Sequence, residues 1–473
     1  MTSMTQSRFP VLAGLAALLA SWASPLPGAN SPAPARGHRW VRSHPFTLMG
    51  LVRNYPAPFD IDQYRRAGFG AVLAWEKGSY PELLPRLAAA GMPFHVNLEK
   101  WGAELAGGPD ATEASLGKAL AELDGAANRA ALADITKHAG CIGFLANDEI
   151  VRPMHLRYTR HLLQWLRQLH PEAIAYSNAH PAGHEGMPGY GSLDRYFDEF
   201  AAMVEPDVFM TDVYPLGDPD GTSYNYFKLL AAVRRTALAH GMPYWMFIQS
   251  FETHGSWDRR LPSESDLRFQ MFVPLTYGYT GILYFTYDLA FERGLIEKSG
   301  EPNRLYHAAA TANPEVERVG AAVRYLTSTA VRYVPGRHAA EDGQAVPNPL
   351  PIDTRTWTPG AGGDPWITRI AVDDDGPGKD ALLGLFRDDD GNRYFLITNL
   401  RHDAGITAAD GRVGLTIGFA PGLNTLFRLD RSTGRTVPVP LADSNLHIEL
   451  PGGTGDLYGY RPGPFPGTPG AEH

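Results

Sequence analysis

Short apolar runs alternate with longer amphipathic stretches eight times between about His38 and Leu326. The runs are Phe46 to Leu51, Ala71 to Trp75, Pro93 to Leu98, Ile142 to Ala146, Ala173 to Ser177, Val208 to Val213, Tyr244 to Ile248 and Gly281 to Phe285. Runs of this length read as buried strands, and apolar residues three or four apart between them read as helix faces. The helix between the fourth and fifth runs is the plainest, with Leu162, Leu166 and Leu169 on one side. The junctions repeat as well. Gly91-Met92-Pro93-Phe94 and Gly241-Met242-Pro243-Tyr244 are near copies, and Gly68, Gly140 and Gly278 hold the same place. Glycine there supplies the left-handed residue that ends a helix before the chain turns into a strand. Ser263 with Asp266 three residues on predicts a capping box for the helix before the last strand. Eight strand–helix units in about 290 residues are what a (β/α)8 barrel requires. A doubly wound sheet needs a Gly-rich phosphate loop in its first unit, and F-T-L-M-G-L-V-R-N-Y has none.

After about Leu326 the helical periodicity stops and alternating strands take over. Ala381 to Arg387 and Arg393 to Asn399 flank the turn Asp388-Asp389-Asp390-Gly391-Asn392, which predicts a hairpin. Val413 to Phe419, Thr425 to Leu429, Thr436 to Pro440 and Leu446 to Leu450 continue the set. The expectation is an α/β chain, a (β/α)8 TIM barrel over residues 38–326, followed by a small all-β sandwich as an accessory domain over 327–463 and a disordered tail over 464–473. The turns at Asp373 and Asp388 match no calcium-loop spacing and read as solvated turns.

The first 23 residues read as an export signal. Arg8 gives a positive start, Phe9 to Trp22 is an apolar stretch too short to span a bilayer, and Ser21-Trp22-Ala23 offers a cleavage site before Ser24. Residues 24–37, rich in Pro and Ala, read as a leader. The expected location is secreted or periplasmic, with no membrane span after signal removal. The formal charge of -9 is spread along the 473 residues, so no basic cluster marks a nucleic-acid partner. The single cysteine, Cys141, excludes an intramolecular disulfide framework and reads as a core residue. No cofactor and no metal are expected. His95, His180 and His254 fall near strand ends, but the first strand lacks the His-x-His of barrel metallohydrolases.

In a (β/α)8 barrel the site is built at the C-terminal ends of the strands. The fourth run ends in Asn147, Asp148 and Glu149, and two adjacent carboxylates beside a core are costly unless they serve a purpose. A catalytic acid is such a purpose, because partial burial and a neighbouring charge raise its pKa. Reading the other strand ends gives Trp75, Glu99, Trp101, Asn178, Asp212, Tyr214, Gln249 and Tyr284. Amides and carboxylates bind hydroxyl groups, and aromatic faces stack on sugar rings. A carbohydrate partner is therefore expected.

The segment Gly143-Phe144-Leu145-Ala146-Asn147-Asp148-Glu149 is similar to the acid/base segment of (β/α)8 glycoside hydrolases, where a Glu after strand four protonates the leaving oxygen. The stretch from Pro243 through Phe251, then Arg260-Leu261-Pro262-Ser263, then Tyr277 to Phe285, resembles glycoside-hydrolase-like barrels that carry a β-sandwich. The resemblance implies an enzyme that cleaves O-glycosyl bonds, with Glu149 as general acid/base, and the signal segment adds that it is exported. The resemblance also implies a Glu nucleophile after strand seven, where this chain has Gln249. Two schemes stay open. Asp148 and Glu149 work as a pair in a substrate-assisted reaction, as in β-N-acetylhexosaminidases, or Glu149 pairs with Asp212 or Glu99. In the second scheme the carboxyl separation sets the outcome, at roughly 5 Å for retention and 6.5–9.5 Å for inversion. A catalytically silent carbohydrate-binding barrel is the rival from another class.

Overall fold

The computed structural model describes residues 35–98, 101, 111–181, 190–217, 221–222, 225–255, 258–288, 291–336, 351, 353–360, 363–373 and 378–471. The expected export signal, most of the leader, Glu99 and the last two residues lie outside the described residues. The strands in chain order are β1 (Thr47–Val52), β2 (Ala71–Ala74), β3 (Phe94–Asn97), β4 (Cys141–Leu145), β5 (Ile174–Ala179), β6 (Phe209–Asp212), a two-residue pair β7 (Leu216–Gly217) and β8 (Gly221–Thr222), then β9 (Tyr244–Gln249) and β10 (Gly281–Phe285). All but β7 and β8 pair in parallel and close into an eight-stranded barrel in the order β1-β10-β9-β6-β5-β4-β3-β2. The helices are α1 (Arg36–Ser43), α2 (Ile61–Arg66), α3 (Tyr80–Ala89), α4 (Glu113–Leu123), α5 (Ala126–Thr136), α6 (Pro153–Leu169), α7 (Leu193–Val204), α8 (Asn225–Ala239), α9 (Glu264–Tyr277) and α10 (Arg304–Val323).

The junction glycines behave as their position demands. Gly68, Gly91, Gly140, Gly241 and Gly278 all have φ between 62° and 98°, where a Cβ is strained. The capping box of Ser263 and Asp266 forms at the start of α9. Helix α1 has no counterpart among the expected elements. It carries Trp40 and Val41 into the inner barrel core, where they meet Met49, Leu73, Tyr176 and Trp245. That core needs two glycines. A Cβ on Gly143 would lie 2.3 Å from the His95 ring, and one on Gly281 would lie 2.5 Å from Trp245. Cys141 opens β4, and burial pushes its thiol up to about 12, so it stays protonated.

Alternation along each strand decides which side chains face inward. On β6 Val208 and Met210 join the inner core and Phe209 the outer one, and on β9 Trp245 and Phe247 face in while Met246 and Ile248 face out. On β10 Leu283 faces in, whereas Ile282 and Tyr284 belong to the outer core beneath the helices.

Nine further strands follow among the described residues: β11 (Thr327–Val334), β12 (Ile367–Val372), β13 (Ala381–Arg387), β14 (Arg393–Asn399), β15 (Val413–Phe419), β16 (Thr425–Leu429), β17 (Thr436–Pro440), β18 (Asn445–Leu450) and β19 (Gly455–Gly459). They form a six-stranded antiparallel sheet, β11-β13-β14-β19-β16-β17, and a three-stranded one, β12-β15-β18. Leu383, Leu385, Phe395 and Ile397 of the larger sheet share one core with Leu415, Ile417 and Leu446 of the smaller, which makes the pair a sandwich. The larger sheet is apolar on its other face too. Leu382, Phe386, Leu396 and Leu457 belong to the outer core of the barrel. Helix α9 lies against this face, which explains why every residue from Ser265 to Tyr277 is buried. The turn at Asp388 closes on itself, accepting hydrogen bonds from the Asn392 backbone and side-chain amides and from the Tyr394 hydroxyl.

Candidate active site

The ends of β4, β5 and β6 bring three carboxyl groups together. Asn178, buried at the end of β5, donates from its amide nitrogen to Asp148 Oδ1 at 2.9 Å and to Asp212 Oδ1 at 2.8 Å. One amide thus ties the strand-four loop to the end of β6. Asp212 is 3% exposed and also shares a hydrogen bond with Glu149. Burial raises its pKa well above the usual carboxylate range, and the charges of Glu149 and Asp148 push in the same direction. Asp212 therefore keeps its proton to higher pH than an exposed aspartate does. The side chain of Glu149 is 41% exposed and has His180 Nε2 at 3.9 Å from Oε2. Its backbone φ is +48°, a region that costs a residue with a Cβ about 1–3 kcal/mol and clusters at functional sites. From sequence, the carboxyl with the raised pKa was expected to be Glu149. The structure puts the deep burial on Asp212, and that burial raises its pKa.

An aromatic wall stands beside this cluster. The Tyr214 hydroxyl bonds to Asp212, and burial drives that phenol well above its ordinary range. Its ring stacks against Phe285 at 5.3 Å and meets Phe251 edge-on at 5.2 Å, with Phe291 4.9 Å beyond Phe251. Trp75 and Phe285, both partly buried, pack on the same inner core as Tyr214. Phe285 is the main residue that the strand-end reading missed. It is one place past Tyr284, on the opposite face of β10.

Four of the expected substrate-binding residues have other work. Asn147 turns away and donates to Thr159 Oγ1 on α6 at 2.8 Å. Trp101 packs on the outer core beside Trp165 of α6, with ring centroids 6.2 Å apart. Tyr284 is fully buried under the helices and donates to Asn313 Oδ1 at 2.6 Å. Gln249 is fully buried as well. Its Oε1 accepts from Leu216 N at 2.9 Å, and its Nε2 donates to Leu216 O at 3.2 Å and Arg260 O at 2.9 Å. Its whole amide is used on the backbone of two loops, so a ligand has no group of Gln249 to meet. Trp75, Asn178, Asp148, Glu149, Asp212 and Tyr214 sit at the barrel mouth, while Glu99 is outside the described residues.

On the opposite rim Asp288 accepts from the backbone amides of Arg53 and Asn54 at 2.8–3.0 Å. Burial raises its pKa to about 6 against those bonds. Arg53 pairs with Glu76 at 2.7 Å. Glu252 is paired with Arg293 at 3.5 Å. His95 is not at the mouth at all. It is buried in the barrel interior against the Tyr176 hydroxyl at 3.0 Å, and burial lowers its pKa to about 3. Among the described residues no group of three or more His, Cys, Asp and Glu side chains is arranged to hold a metal ion. No described helix is long and apolar enough to cross a membrane.

No family model matches the chain, and no curated protein matches it in sequence. Among solved structures it is similar to a β-galactosidase from the psychrophilic Marinomonas ef1, at 12% identity and TM-score 0.45, over 62% of this chain and 63% of that one. It is also similar to an α-L-arabinofuranosidase from Thermotoga maritima, at 11% identity and TM-score 0.42, over 88% and 97% of the two chains. An endo-β-1,4-mannanase from Thermotoga petrophila gives 10% identity and TM-score 0.40, over 86% and 97%. The assignment of a closed (β/α)8 barrel followed by a β-sandwich rests on the strand pairing itself, not on these likenesses.

Proposed function

We propose that the chain is an exported glycoside hydrolase whose general acid/base is Glu149. The observation that carries this reading is the convergence of Asp148 and Asp212 on Asn178, with Glu149 bonded to Asp212, beside an aromatic wall, and with the pKa of Asp212 raised by burial. A glycosidic oxygen is a poor leaving group until it is protonated. Glu149 is exposed to solvent, and Asp212, bonded to it and raised in pKa by burial, is its proton partner. Glu149 delivers that proton to the leaving oxygen, and Asp212 resupplies it. Tyr214, Phe285 and Trp75 offer apolar faces for a sugar ring. The export signal supports action outside the cytoplasm.

The contact between Glu149 and Asp212 bears on the second carboxylate. A hydrogen-bonded pair is closer than the roughly 5 Å of retaining enzymes or the 6.5–9.5 Å of inverting ones. Asp212 therefore acts with Glu149 as one proton-sharing unit and does not face it across the scissile bond. This favours the substrate-assisted scheme, in which the acetamido oxygen of a 2-acetamido sugar attacks the anomeric carbon and Asp148, anchored by Asn178, orients the acetamido N–H.

The test is Glu149→Gln together with Asp148→Asn, assayed on natural oligosaccharides and on aryl glycosides with and without a 2-acetamido group. Glu149→Gln is expected to lose about 10²–10⁴-fold in rate on natural substrates while binding persists, and less on an activated aryl leaving group. Asp148→Asn is expected to lose most on 2-acetamido substrates. Undiminished turnover by Glu149→Gln overturns the assignment. Binding of glycans without turnover by the wild type points instead to a silent carbohydrate-binding barrel, a reading that the commitment of Gln249 to backbone contacts also fits.

A further inference from the structure

The wall residue Tyr214 is held from behind. Its carbonyl accepts from Arg259 Nε at 2.8 Å, and two residues on, Leu216 is gripped through both backbone groups by the amide of Gln249. The same Gln249 amide holds the carbonyl of Arg260, and Gly217 and Arg259 form an antiparallel bridge. The segment 259–260 is therefore the backing strip of the loop that carries Tyr214. What fixes this strip lies outside the barrel mouth. The Arg260 guanidinium forms a two-pronged pair with Asp266, which is fully buried at the start of α9. Burial opposes the charge on Asp266, but its bonds from His402 and Arg260 outweigh that and keep its pKa below the usual range. Asp266 is thus an ionised acceptor, so His402 Nδ1, 2.7 Å away, carries the hydrogen.

His402 belongs to the β-domain. It is fully buried, and its ring stacks on Phe269 of α9 at 3.8 Å. Its neighbours grip the same end of α9. Ser263 Oγ donates to Asp403 O at 2.7 Å, Ser265 N to Ile406 O at 3.3 Å, and Ala408 N to Glu264 Oε2 at 3.2 Å. A linkage of named bonds therefore runs from the β-domain to the site: His402, Asp266, Arg260, Gln249 with Leu216, then Tyr214 and Asp212.

We propose that the β-domain is a positioning element of the barrel site and that His402 is its anchoring residue, holding the Tyr214 loop in register with Asp212 through Asp266 and Arg260. The functional part of this inference rests on the reading of Asp212 and Tyr214 given above; the mechanical part does not.

The experiment is hydrogen exchange by mass spectrometry on the full chain, for the wild type, His402→Leu, His402→Asn and Arg260→Gln, alongside kcat and KM on the aryl glycosides. His402→Leu is expected to speed exchange about tenfold or more in peptides covering 212–217 and 258–263, while peptides from β2 and β3 keep wild-type rates. His402→Asn keeps a donor near the Nδ1 position and is expected to restore the protection. Arg260→Gln leaves the grip of the β-domain on α9 intact and is expected to loosen the same two segments, so it decides the matter where His402→Leu does not fold. The loosening should appear in kcat more than in KM. Wild-type exchange in both segments of folded His402→Leu or of Arg260→Gln overturns the proposal, as does acceleration spread evenly over the barrel. A wild type with no glycosidase activity but with the expected exchange pattern sinks the site reading and leaves the positioning role standing.

Discussion

Asp212→Asn separates a carboxyl that is buried for a purpose from one that is merely tolerated. Asp212 accepts from Asn178 through Oδ1 and, when protonated, donates to Glu149. Asparagine supplies the same acceptor and the same donor in nearly the same shape, but its proton cannot leave. The native bonds are therefore kept and only the titration is removed. The sign follows from linkage. An unfolded Asp titrates near 3.9, and the folded group titrates well above that, so between the two the folded state holds one proton more. The contribution is fully present below the unfolded pKa and is lost as pH rises toward the folded one. Stability of the wild type relative to Asp212→Asn should fall by about 1.4 kcal/mol per pH unit in that window. Urea unfolding of both proteins at half-unit steps from about pH 3.5 to 6.5 measures this difference, because the carboxyls away from the cluster cancel between them. The variant should match the wild type at the acid end and exceed it at the neutral end, while its turnover falls by about 10²–10⁴-fold. A flat stability difference refutes the neutral, buried Asp212. A wild type that gains on the variant as pH rises refutes it more strongly, since that is the signature of an ionised, well-paired carboxylate.

Two further outcomes follow from the same geometry. Gln249→Glu, which installs the carboxyl expected of the resembling family, should destabilise by about 3 kcal/mol or more and gain no turnover, because a carboxylate would face the carbonyls of Leu216 and Arg260; a folded, more active Gln249→Glu refutes the backbone role. Tyr284→Phe should cost about 1–3 kcal/mol by stranding the buried Asn313 carbonyl oxygen and leave KM unchanged, whereas Phe285→Ala should raise KM about tenfold with less effect on stability; unfolding curves and saturation kinetics on one substrate read both.

The barrel was legible because its signals are local. Each junction glycine answers a helix end and a left-handed residue within three positions, and the capping box at Ser263 is set by its own turn. The placement of Glu149, Asp148 and Asp212 at the mouth followed from the rule that strand ends build the site. Which of neighbouring residues faces inward did not follow. Tyr284 and Phe285 are adjacent aromatics, and choosing between them needs the parity of β10, which only its pairing with β9 and β1 sets. Gln249 has inward parity yet is consumed by loops 33 and 11 residues away in sequence. No local pattern announces that. That Asp212 is the deeply buried carboxyl of the cluster could not be read from sequence for the same reason. Burial is a sum over the whole fold, and β6 ends inside the wall while the strand-four loop ends in solvent. Sequence by itself determined the periodicity, the caps and the chemical types gathered at the strand ends, because these depend on residues a few positions apart. Tertiary structure alone decided side-chain parity, the burial of Asp212 and the reach of His402 into the barrel, because each depends on surroundings brought together from distant parts of the chain.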